Sequence, residues 1–500
     1  MKNVRIGGAL GFWGDRRDAI LDILNGGPLD YVMMDYLSEV TLSILQKQRL
    51  KNPQMGYAHD FVSTIKPALK LIVEKRVKLI TNAGGLNPAA CAQALMAMAK
   101  AEGFGQLKIG VVQGDDLFSL IEKKGADKFD FFHMETGASQ NLIPGKILSA
   151  NAYLGAFPIA RALSMGADIV ITGRVNDAAL ALGPLIYEFG WNENDLDLLA
   201  SGTIAGHLLE CGGQATGGNF NGGWQSVPDL AHLGFPIAEV SEDGSFVMTI
   251  HPGFGGLVTP AVLKEQLLYE VGDPSKYLVA DVTCDLTDLE MEDLGLNRVL
   301  IKSVRGGPAP IQYKVSVCYE GGYKVSGGLI YTWPNCVAKA RAGGELFLGR
   351  LKKLGLKFKD HRFSILGYDG VHGLMSRKVE DPDEVYMRLS FLVDDLPTAE
   401  KIARELTTHV LCGIPSACSL DGGRATPQKQ ILHWPSLIPK SMIESKISVI
   451  DSATWEGVTL EASTMTTATV GAAITEPTIT EPATNEPVLG KPAPTRRAVI

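Results

Sequence analysis

Several features that define other protein classes are absent from this sequence. Its seven cysteines are widely spaced and form no Cys-x-x-Cys pair, which argues against a zinc ribbon, a thioredoxin motif and a secreted disulfide framework. The net charge is −8, so there is no cationic surplus for nucleic acid or an anionic membrane. A long apolar stretch, residues 167–186, is interrupted by Arg174, Asn176 and Asp177 and is therefore no membrane span. We expect neither a nucleic-acid nor a membrane partner.

The two ends of the sequence lack further features. Residues 1–5 lead into a strand-like segment without an apolar signal region, so the expected location is the cytoplasm. No aromatic residue follows Trp455, and a Glu-Pro pair recurs every five residues from Glu476 to Glu486. A segment of this composition buries too little apolar area to offset the entropy of ordering it. We therefore predict a disordered tail over residues 461–500.

The first part of the chain alternates short apolar runs with helix-period segments. Runs that are apolar on both faces are typical of buried parallel strands. The alternation predicts an α/β fold, and it favours an open, doubly wound, mostly parallel sheet over an eight-stranded barrel. The predicted strands cover residues 4–8, 31–35, 77–82, 107–112, 146–150 and 168–172.

The pattern changes after residue 281, where apolar and polar residues alternate. Gly321-Gly322 separates two such runs, which predicts a β-hairpin in an antiparallel sheet with one solvated face. A last strand is expected near Ser448. The predicted domains are an α/β domain for ligand binding and catalysis over residues 1–275, a smaller α+β domain over 276–460, and the tail over 461–500.

Ligands of open parallel sheets bind beyond the carboxyl ends of the strands. The turn after the first strand contains Gly11, Gly14 and Asp15, and glycines let backbone N–H groups approach a phosphate. Asp35 follows Gly14 by 21 residues, the offset at which a carboxylate meets the ribose of NAD. The glycine spacing departs from the dinucleotide fingerprint, however. Three alternatives stay open: a tight structural turn, a nicotinamide cofactor, and another anion or an acyl ligand.

Asn82, Gly84, Gly85 and Asn87 form a second strand-to-helix turn. Free N–H groups at the start of a helix form an anion or oxyanion site, and the two asparagines add neutral donors. The alternative is a turn that needs glycine for its shape alone. Asn151 follows another predicted strand and adds a polar group at the same edge of the sheet.

Arg174 and Asp177 follow a buried strand at the start of a helix. The guanidinium offers five donors in a rigid fork, which suits the carboxylate or phosphate of a ligand. An ion pair of Arg174 with Asp177 or Asp35 is the structural alternative. Both carboxylates are candidates for proton transfer. Asp115 is one more polar residue at these strand ends.

A further segment places four polar residues on one face of a helix. His207, Glu210, Cys211 and Gln214 stand at i, i+3, i+4 and i+7, which is one helical face. A Cys–His pair one turn apart can form an activated thiolate, or His207 or Glu210 can move a proton; the structural alternative for Cys211 is an inert core residue. No ligand set has an established metal spacing, so no metal is predicted. Gly255, in a later glycine-rich turn, is a candidate for an anion nest.

Six longer segments carry a family resemblance: RIGGALGFWGD at 5–15, DYVMMDYLSEV at 30–40, TNAGGLNP at 81–88, SANAYLGA at 149–156, TGRVNDAAL at 172–180, and residues 202–218. With these segments, the sequence over residues 3–445 resembles the acyclic terpene utilisation (AtuA-like) family. The resemblance implies a role in the degradation of branched, isoprenoid-derived acids as coenzyme A thioesters. It implies a pathway rather than a mechanism, and it transfers no catalytic residue.

Together these observations predict an enzyme, a lyase of the hydratase or dehydratase type that acts on an acyl-CoA or a related branched carboxylic acid. Hydration of an enoyl thioester needs an oxyanion site and a group that moves protons. The alternatives are an NAD(P)-dependent Rossmann-type oxidoreductase and a non-catalytic acyl-CoA-binding or carboxylase-partner subunit. We expect no required cofactor beyond coenzyme A carried by the substrate, an anionic or CoA-linked small molecule as the partner, and a homo-oligomer.

The candidate residues fall into two groups. The catalytic candidates are His207, Glu210, Cys211, Asp35 and Asp177. The substrate-binding candidates are Gly11, Asp15, Asn82, Gly84, Gly85, Asn87, Asn151, Arg174, Gln214 and Gly255. We expect the loops that carry them to meet at a common rim, where amide dipoles and Arg174 attract negative charge.

Overall fold

Short strands and helices alternate along the chain in the computed structural model, which describes residues 2–118, 120–121, 131–377, 379–418, 425–451 and 463–464. Most of the predicted tail over 461–500 lies outside these residues, and its disorder stays a prediction. The described strands are β1 Asn3–Gly8, β2 Tyr31–Met34, β3 Lys78–Thr81, β4 Ile109–Gln113, β5 Ile147–Ala152, β6 Ile169–Thr172, β7 Ile237–Ser241, β8 Phe246–Thr249, β9 Tyr277–Leu278, β10 Thr283–Asp285, β11 Glu290–Gly295, β12 Arg298–Lys302, β13 Arg305–Gly307, β14 Gln312–Thr332, β15 Asp360–Leu366, β16 Glu384–Val393, β17 Gln428–Pro439, β18 Lys446–Ile450 and β19 Ser463–Thr464. The described α-helices are α1 Ala19–Gly26, α2 Glu39–Lys51, α3 Asp60–Ile65, α4 Leu69–Lys75, α5 Pro88–Ala101, α6 Phe157–Ser164, α7 Ala179–Phe189, α8 Leu196–Glu210, α9 Pro260–Leu268, α10 Cys336–Lys353 and α11 Leu396–Cys412.

Within the described ranges, eleven strands form one mixed sheet in the order β11-β12-β8-β7-β1-β2-β3-β6-β4-β18-β19. The central strands β1, β2, β3, β6 and β4 are parallel to one another. The strands on either side of them are antiparallel to their neighbours. Five of the six predicted parallel strands are therefore confirmed. The sheet is open, with β11 and β19 at its edges, and is not a barrel.

Helices cover both faces of the parallel strands. β2 and β6 are buried at every position, as expected of strands that lie between two helical layers. Ile20 of α1, Phe61 of α3 and Leu95 of α5 belong to the core on one face. Ile159 of α6 and Leu208 of α8 belong to the core on the other face. The predicted α/β class is confirmed as a mixed α/β fold with additional antiparallel sheets, and the doubly wound description stays a prediction.

β14 corrects the predicted hairpin, because Gln312–Thr332 is one continuous strand of 21 residues. It pairs with β17 along one edge, and with β5 and β16 along the other. Gly321-Gly322 lies at a bulge in the pairing with β17. Gly322 has a φ of 85°, and a Cβ there would lie 2.2 Å from the carbonyl oxygen of Val393. The two glycines thus permit a bulge and a close backbone approach rather than a turn.

β5 and β18 also differ from the predictions. A second sheet has the strand order β15-β16-β14-β17, with β5 also paired to β14. The predicted parallel strand over 146–150 is β5, which pairs antiparallel with β14 in this sheet. The last strand, expected in the α+β domain, is β18, which extends the main sheet beside β4. Such pairings depend on tertiary contacts that a local pattern does not contain. β12 likewise pairs with β8, although the two strands lie on opposite sides of the domain boundary predicted at residue 275. The predicted domain boundaries stay a prediction.

No helix in the described part of the chain has both the length and the apolar character needed to cross a bilayer.

Candidate functional site

Arg174 occupies the centre of the candidate site. It follows β6, and its side chain is only 2% exposed. Both terminal guanidinium nitrogens donate to the carboxylate of Asp177, one of them over 3.2 Å, and the guanidinium carbon lies 4.0 Å from the ring centroid of Tyr153. The ion pair that the sequence left open as the structural alternative is therefore present. The terminal nitrogens are engaged by protein groups, the buried Nε has no partner among the described residues, and binding of a substrate anion by Arg174 stays a prediction.

Asp35 and Asn82 follow two neighbouring strands, β2 and β3, and are bonded to each other. The Asn82 amide donates to a carboxylate oxygen of Asp35 over 2.6 Å, and the Leu37 N–H donates to the same oxygen over 3.1 Å. Burial and the nearby Asp177 raise the pKa of Asp35 well above its usual value, although Arg174 opposes this shift. The protonated acid is thus favoured. Asp35 is 4% exposed, and one of its carboxyl oxygens already accepts these two hydrogen bonds.

A second buried acid, Asp115, supports the backbone of Arg174. Its carboxylate accepts from the Arg174 N–H over 2.9 Å and from the Asn151 amide over 2.8 Å. A Cβ on Gly173 would lie 2.2 Å from a carboxylate oxygen of Asp115, so this close approach requires glycine. Burial raises the pKa of Asp115 to about 7. Asn151, predicted to bind substrate, therefore supports the site through Asp115.

One wall of the cluster contains residues that sequence reasoning missed. The Tyr153 hydroxyl donates to a carboxylate oxygen of Glu39 over 2.7 Å, and the Lys314 ammonium donates to the same oxygen over 3.0 Å. Burial favours the neutral acid, but Lys314 and Arg174 lower the pKa of Glu39. These residues come from β14, the start of α2 and the segment after β5. No local pattern connects them, and the only signal in the sequence is that Glu39 and Tyr153 lie in two of the segments that carry the family resemblance.

His207 and Glu210 form the pair that their helical spacing predicted. Near the end of α8, the His207 Nδ1 lies 2.8 Å from a carboxylate oxygen of Glu210, and its Nε2 lies 3.1 Å from the Leu267 carbonyl oxygen. Because a carbonyl oxygen only accepts, Nε2 carries a proton. Burial raises the pKa of Glu210 to about 7, with His207 opposing the shift and Asp177 adding to it. The proton between Nδ1 and Glu210 can therefore move near neutral pH.

Cys211 has a different partner from the one that the sequence suggested. Its Sγ lies 2.7 Å from the hydroxyl oxygen of Tyr269. Burial raises the pKa of the Cys211 thiol, and the adjacent Glu210 adds to the shift. The thiolate, which is the reactive form of cysteine, is thus disfavoured. These contacts favour the inert alternative for Cys211, and its catalytic role stays a prediction.

Tyr269 also borders an open cleft of about 680 Å³. Gln214, predicted to bind substrate, lines this cleft beside it. The other lining residues are Asn219, Phe220, Asn221, Trp224 and Glu265. They were not predicted, and the glycine-rich run that contains most of them was the only signal in the sequence. We call this feature the amide–aromatic cleft. It adjoins the His207–Glu210 pair, because the rings of Tyr269 and His207 are nearly parallel with centroids 6.4 Å apart.

The first glycine turn packs against the end of α8. The Gly11 N–H donates to the carboxylate of Asp15 over 2.9 Å. A Cβ on Gly11 would lie 2.7 Å from the backbone carbonyl carbon of Cys211. The tight structural turn, one of the three alternatives for this segment, is therefore what the geometry supports. It places Gly11 and Asp15 beside Cys211 and Gly212 as packing and turn residues.

The second glycine turn is held by several hydrogen bonds of its own. Gly85 has a φ of 52°, and its N–H donates to the Asn82 carbonyl over 3.1 Å, so that group is not free for an oxyanion. A Cβ on Gly84 would lie 2.5 Å from the Thr172 carbonyl oxygen. The Asn87 side chain accepts from the Ala90 N–H at the start of α5. This turn therefore needs glycine for shape and asparagine for capping.

Gly255 lies apart from the carboxylate cluster. Its N–H donates to the carbonyl of His232 over 2.9 Å, and a Cβ there would lie 2.1 Å from the Asp229 carbonyl oxygen. In the predicted anion nest, the Gly255 N–H and the space beside it are therefore occupied by the neighbouring loop.

Within the ranges that the structure describes, no three His, Cys, Asp or Glu side chains are grouped as metal ligands.

Six of the polar residues after the strands form one cluster that is rich in buried acids: Asp35, Asn82, Asp115, Asn151, Arg174 and Asp177. The rim expected to join all the candidate loops stays a prediction. Comparison with curated proteins and with solved structures gives no match. A family model described as acyclic terpene utilisation family protein AtuA matches residues 4–449. The match includes the parallel strands, the cluster around Arg174, the His207–Glu210 pair and the amide–aromatic cleft. It confirms the resemblance, and the chain belongs to the acyclic terpene utilisation family.

Proposed function

We propose that this protein is a lyase of the hydratase or dehydratase type that acts on an acyl-CoA or a related branched carboxylic acid. The observation that carries the proposal is the contrast between the environments of two carboxyl groups. Asp177 is ion-paired with Arg174 and has a side chain that is 29% exposed, whereas Glu210 is buried with a pKa of about 7. Carboxyl groups in contrasting environments supply a base and an acid at the same pH.

The proposed reaction needs no oxidant or reductant. In the dehydration direction, the Asp177 carboxylate takes a proton from the carbon next to the thioester carbonyl. Glu210 gives a proton to the hydroxyl group on the following carbon, which departs as water while the carbon–carbon double bond forms. After one turnover Asp177 has gained a proton and Glu210 has lost one, so a proton returns from Asp177 to Glu210, directly or through solvent. Hydration is the reverse sequence.

Tyr269 supplies the third group that this chemistry requires, a donor to the thioester oxygen. Burial and the adjacent Cys211 raise the pKa of its phenol, so the hydroxyl keeps its proton at neutral pH. The side chain is 45% exposed beside the cleft. When substrate binds, the hydroxyl exchanges its bond with Cys211 for one to the carbonyl oxygen, and it stabilises the negative charge that develops there. Tyr269 thus takes the role that the sequence had suggested for Gly84-Gly85.

The test is an assay of the purified, folded protein on a panel of straight and branched enoyl-CoA and 3-hydroxyacyl-CoA thioesters. We expect addition or loss of water, followed as a change in enoyl absorbance. Glu210→Gln should lower kcat by roughly 10²–10⁴-fold, because the proton donor is removed while the shape is kept. Glu242→Gln, at an exposed position, is the matched control and should retain wild-type turnover.

Two other results would contradict the proposal. A folded protein that binds acyl-CoA or a carboxylase partner, yet turns over no member of the panel, would instead be the non-catalytic subunit. Turnover that depends on added NAD(P) would identify the oxidoreductase.

A further inference from the structure

We infer that the amide–aromatic cleft binds the pantetheine arm of the substrate thioester, a neutral chain that carries two amide groups. The placement of the thioester group at Tyr269 rests on the proposed function, whereas binding of the arm itself does not. The inference comes from the charge, the hydrogen-bonding groups and the position of the cleft.

The charges of the cleft favour a neutral occupant. Its described lining contains no lysine and no arginine. The carboxylate of Glu265 accepts from the backbone N–H groups of Asn221 over 2.9 Å and Gly222 over 2.8 Å, and no described cation forms an ion pair with it. A carboxylate in this setting repels phosphate and free carboxylate groups. The phosphorylated end of coenzyme A therefore lies outside the cleft, and only a neutral part of the molecule lies inside.

The polar side chains of the cleft match amide groups. Gln214, Asn219 and Asn221 each present a carbonyl oxygen and an amino group. Their side-chain amides make no hydrogen bond with other residues in the part of the chain that the structure describes. Each can therefore donate to a carbonyl and accept from an N–H of the same ligand, which is the pairing that a secondary amide requires. A purely hydrocarbon chain would form none of these hydrogen bonds.

The aromatic side chains and the open shape suit an extended arm. Phe220 is buried, whereas Trp224 is 58% exposed and Tyr269 is 45% exposed. When exposed aromatic rings pack against the methyl and methylene groups of a ligand, apolar surface is removed from water and binding is favoured. A cleft of about 680 Å³ that is open to solvent accommodates a chain whose far end continues outside the protein. Pantetheine has this character, because its other end carries a bulky charged group.

The position of Tyr269 sets the direction of the arm. Tyr269 lies where the cleft meets Cys211 and the His207–Glu210 pair. The sulfur end of the arm therefore lies at Tyr269, with the amides toward Asn219 and Asn221. This direction brings the thioester carbonyl to the hydroxyl group that we propose as its donor.

The first experiment measures binding without turnover. Calorimetric titration of the full-length protein with S-methylpantetheine should give saturable binding. The double variant N219A/N221A should weaken that binding at least tenfold. Gln225→Ala alters an exposed amide of the same loop outside the lining, and this matched control should leave the Kd unchanged. The peptide analogue N-acetyl-dialanine methylamide should bind at least tenfold more weakly, because it lacks the spacing of the pantetheine amides.

The second experiment measures kcat/KM for one acyl group carried on coenzyme A, on pantetheine, on N-acetylcysteamine and on a holo-carrier protein. Pantetheine should exceed N-acetylcysteamine at least tenfold, and N219A/N221A should abolish that difference. Comparable values for coenzyme A and pantetheine support free coenzyme A as the source of the arm, whereas a large preference for the carrier protein supports a protein-borne arm.

The two experiments separate the inference from the proposed function. Specific binding of S-methylpantetheine together with no turnover supports the inference and contradicts the lyase. Turnover with equal kcat/KM for pantetheine and N-acetylcysteamine overturns the inference and leaves the lyase standing. Equal binding of the peptide analogue also overturns it, in favour of a peptide ligand.

Discussion

Asn82 donates its side-chain amide to the carboxylate of Asp35 over 2.6 Å, although the two residues are 47 positions apart in the chain. The register of β2 with β3 pairs Met34 with Thr81, so the residues that follow the two strands meet. Because parallel strands end at the same edge of a sheet, the polar residues that follow separate strands can form one hydrogen-bonded network. The same arrangement brings Asp115, after β4, to the backbone of Arg174.

Arg174→Met should destabilise the protein strongly. The substitution leaves the carboxylate of Asp177 without the buried cation that pairs with it. Removing one partner of a buried ion pair costs about 3–5 kcal/mol, which urea unfolding at pH 7 would measure. Arg362→Met, at an exposed position on β15, is the control and should change the free energy of unfolding by less than about 0.5 kcal/mol. A loss below 1 kcal/mol at Arg174 would refute this account of the cluster.

Asp115 should make stability fall as the pH rises. Burial raises its pKa in the folded state from 3.8 to about 7, so between these values the folded state keeps a proton that the unfolded state has lost. The contribution is complete below pH 4 and is lost as the pH rises through 7, by roughly 4 kcal/mol in total. Asp115→Asn should therefore lose less stability than the wild type between pH 4.5 and 7.5. Urea midpoints at both pH values test this, and parallel decreases would contradict it.

The pH dependence of turnover should report the His207–Glu210 pair. If Glu210 is the proton donor, kcat/KM falls above pH 7 as its proton is lost. His207 lowers the pKa of Glu210, so His207→Asn should move this decrease to higher pH. His232→Asn, which alters a histidine with an exposed side chain, is the control and should leave the profile in place. An unshifted profile in His207→Asn would show that Glu210 is not the titrating group.

Gly11→Ala should destabilise the fold irrespective of any ligand. The new Cβ would lie 2.7 Å from the backbone of Cys211, and overpacking of this kind costs about 1–3 kcal/mol. Gly272→Ala, where a Cβ meets nothing within 4 Å, is the matched control for thermal unfolding.

NAD(P) should not raise the Tm of the wild-type protein, whereas a phosphate-binding role of the first turn would require a clear increase.

The periodicity of the sequence correctly predicted the structural features that depend only on neighbouring residues in the chain. The short apolar runs identified β1, β2, β3, β4 and β6 because parallel strands in this fold are buried on both faces. The helical period brought His207 and Glu210 together because three residues are close to one turn of α8. Strand partners were predicted less well, since Gly321-Gly322 has the same composition whether it forms a turn or, as here, a bulge in β14.

The sequence by itself therefore determined the family, the α/β class and the set of polar residues after the parallel strands. Only the tertiary structure decided what those residues do. Arg174 pairs with Asp177, Cys211 contacts Tyr269, and Glu39 meets Lys314 from the second sheet. Burial and charge proximity, which control the pKa values and the free hydrogen-bonding groups of the site, arise from segments far apart in the chain. Their effects exist only once the sheets and helices have packed.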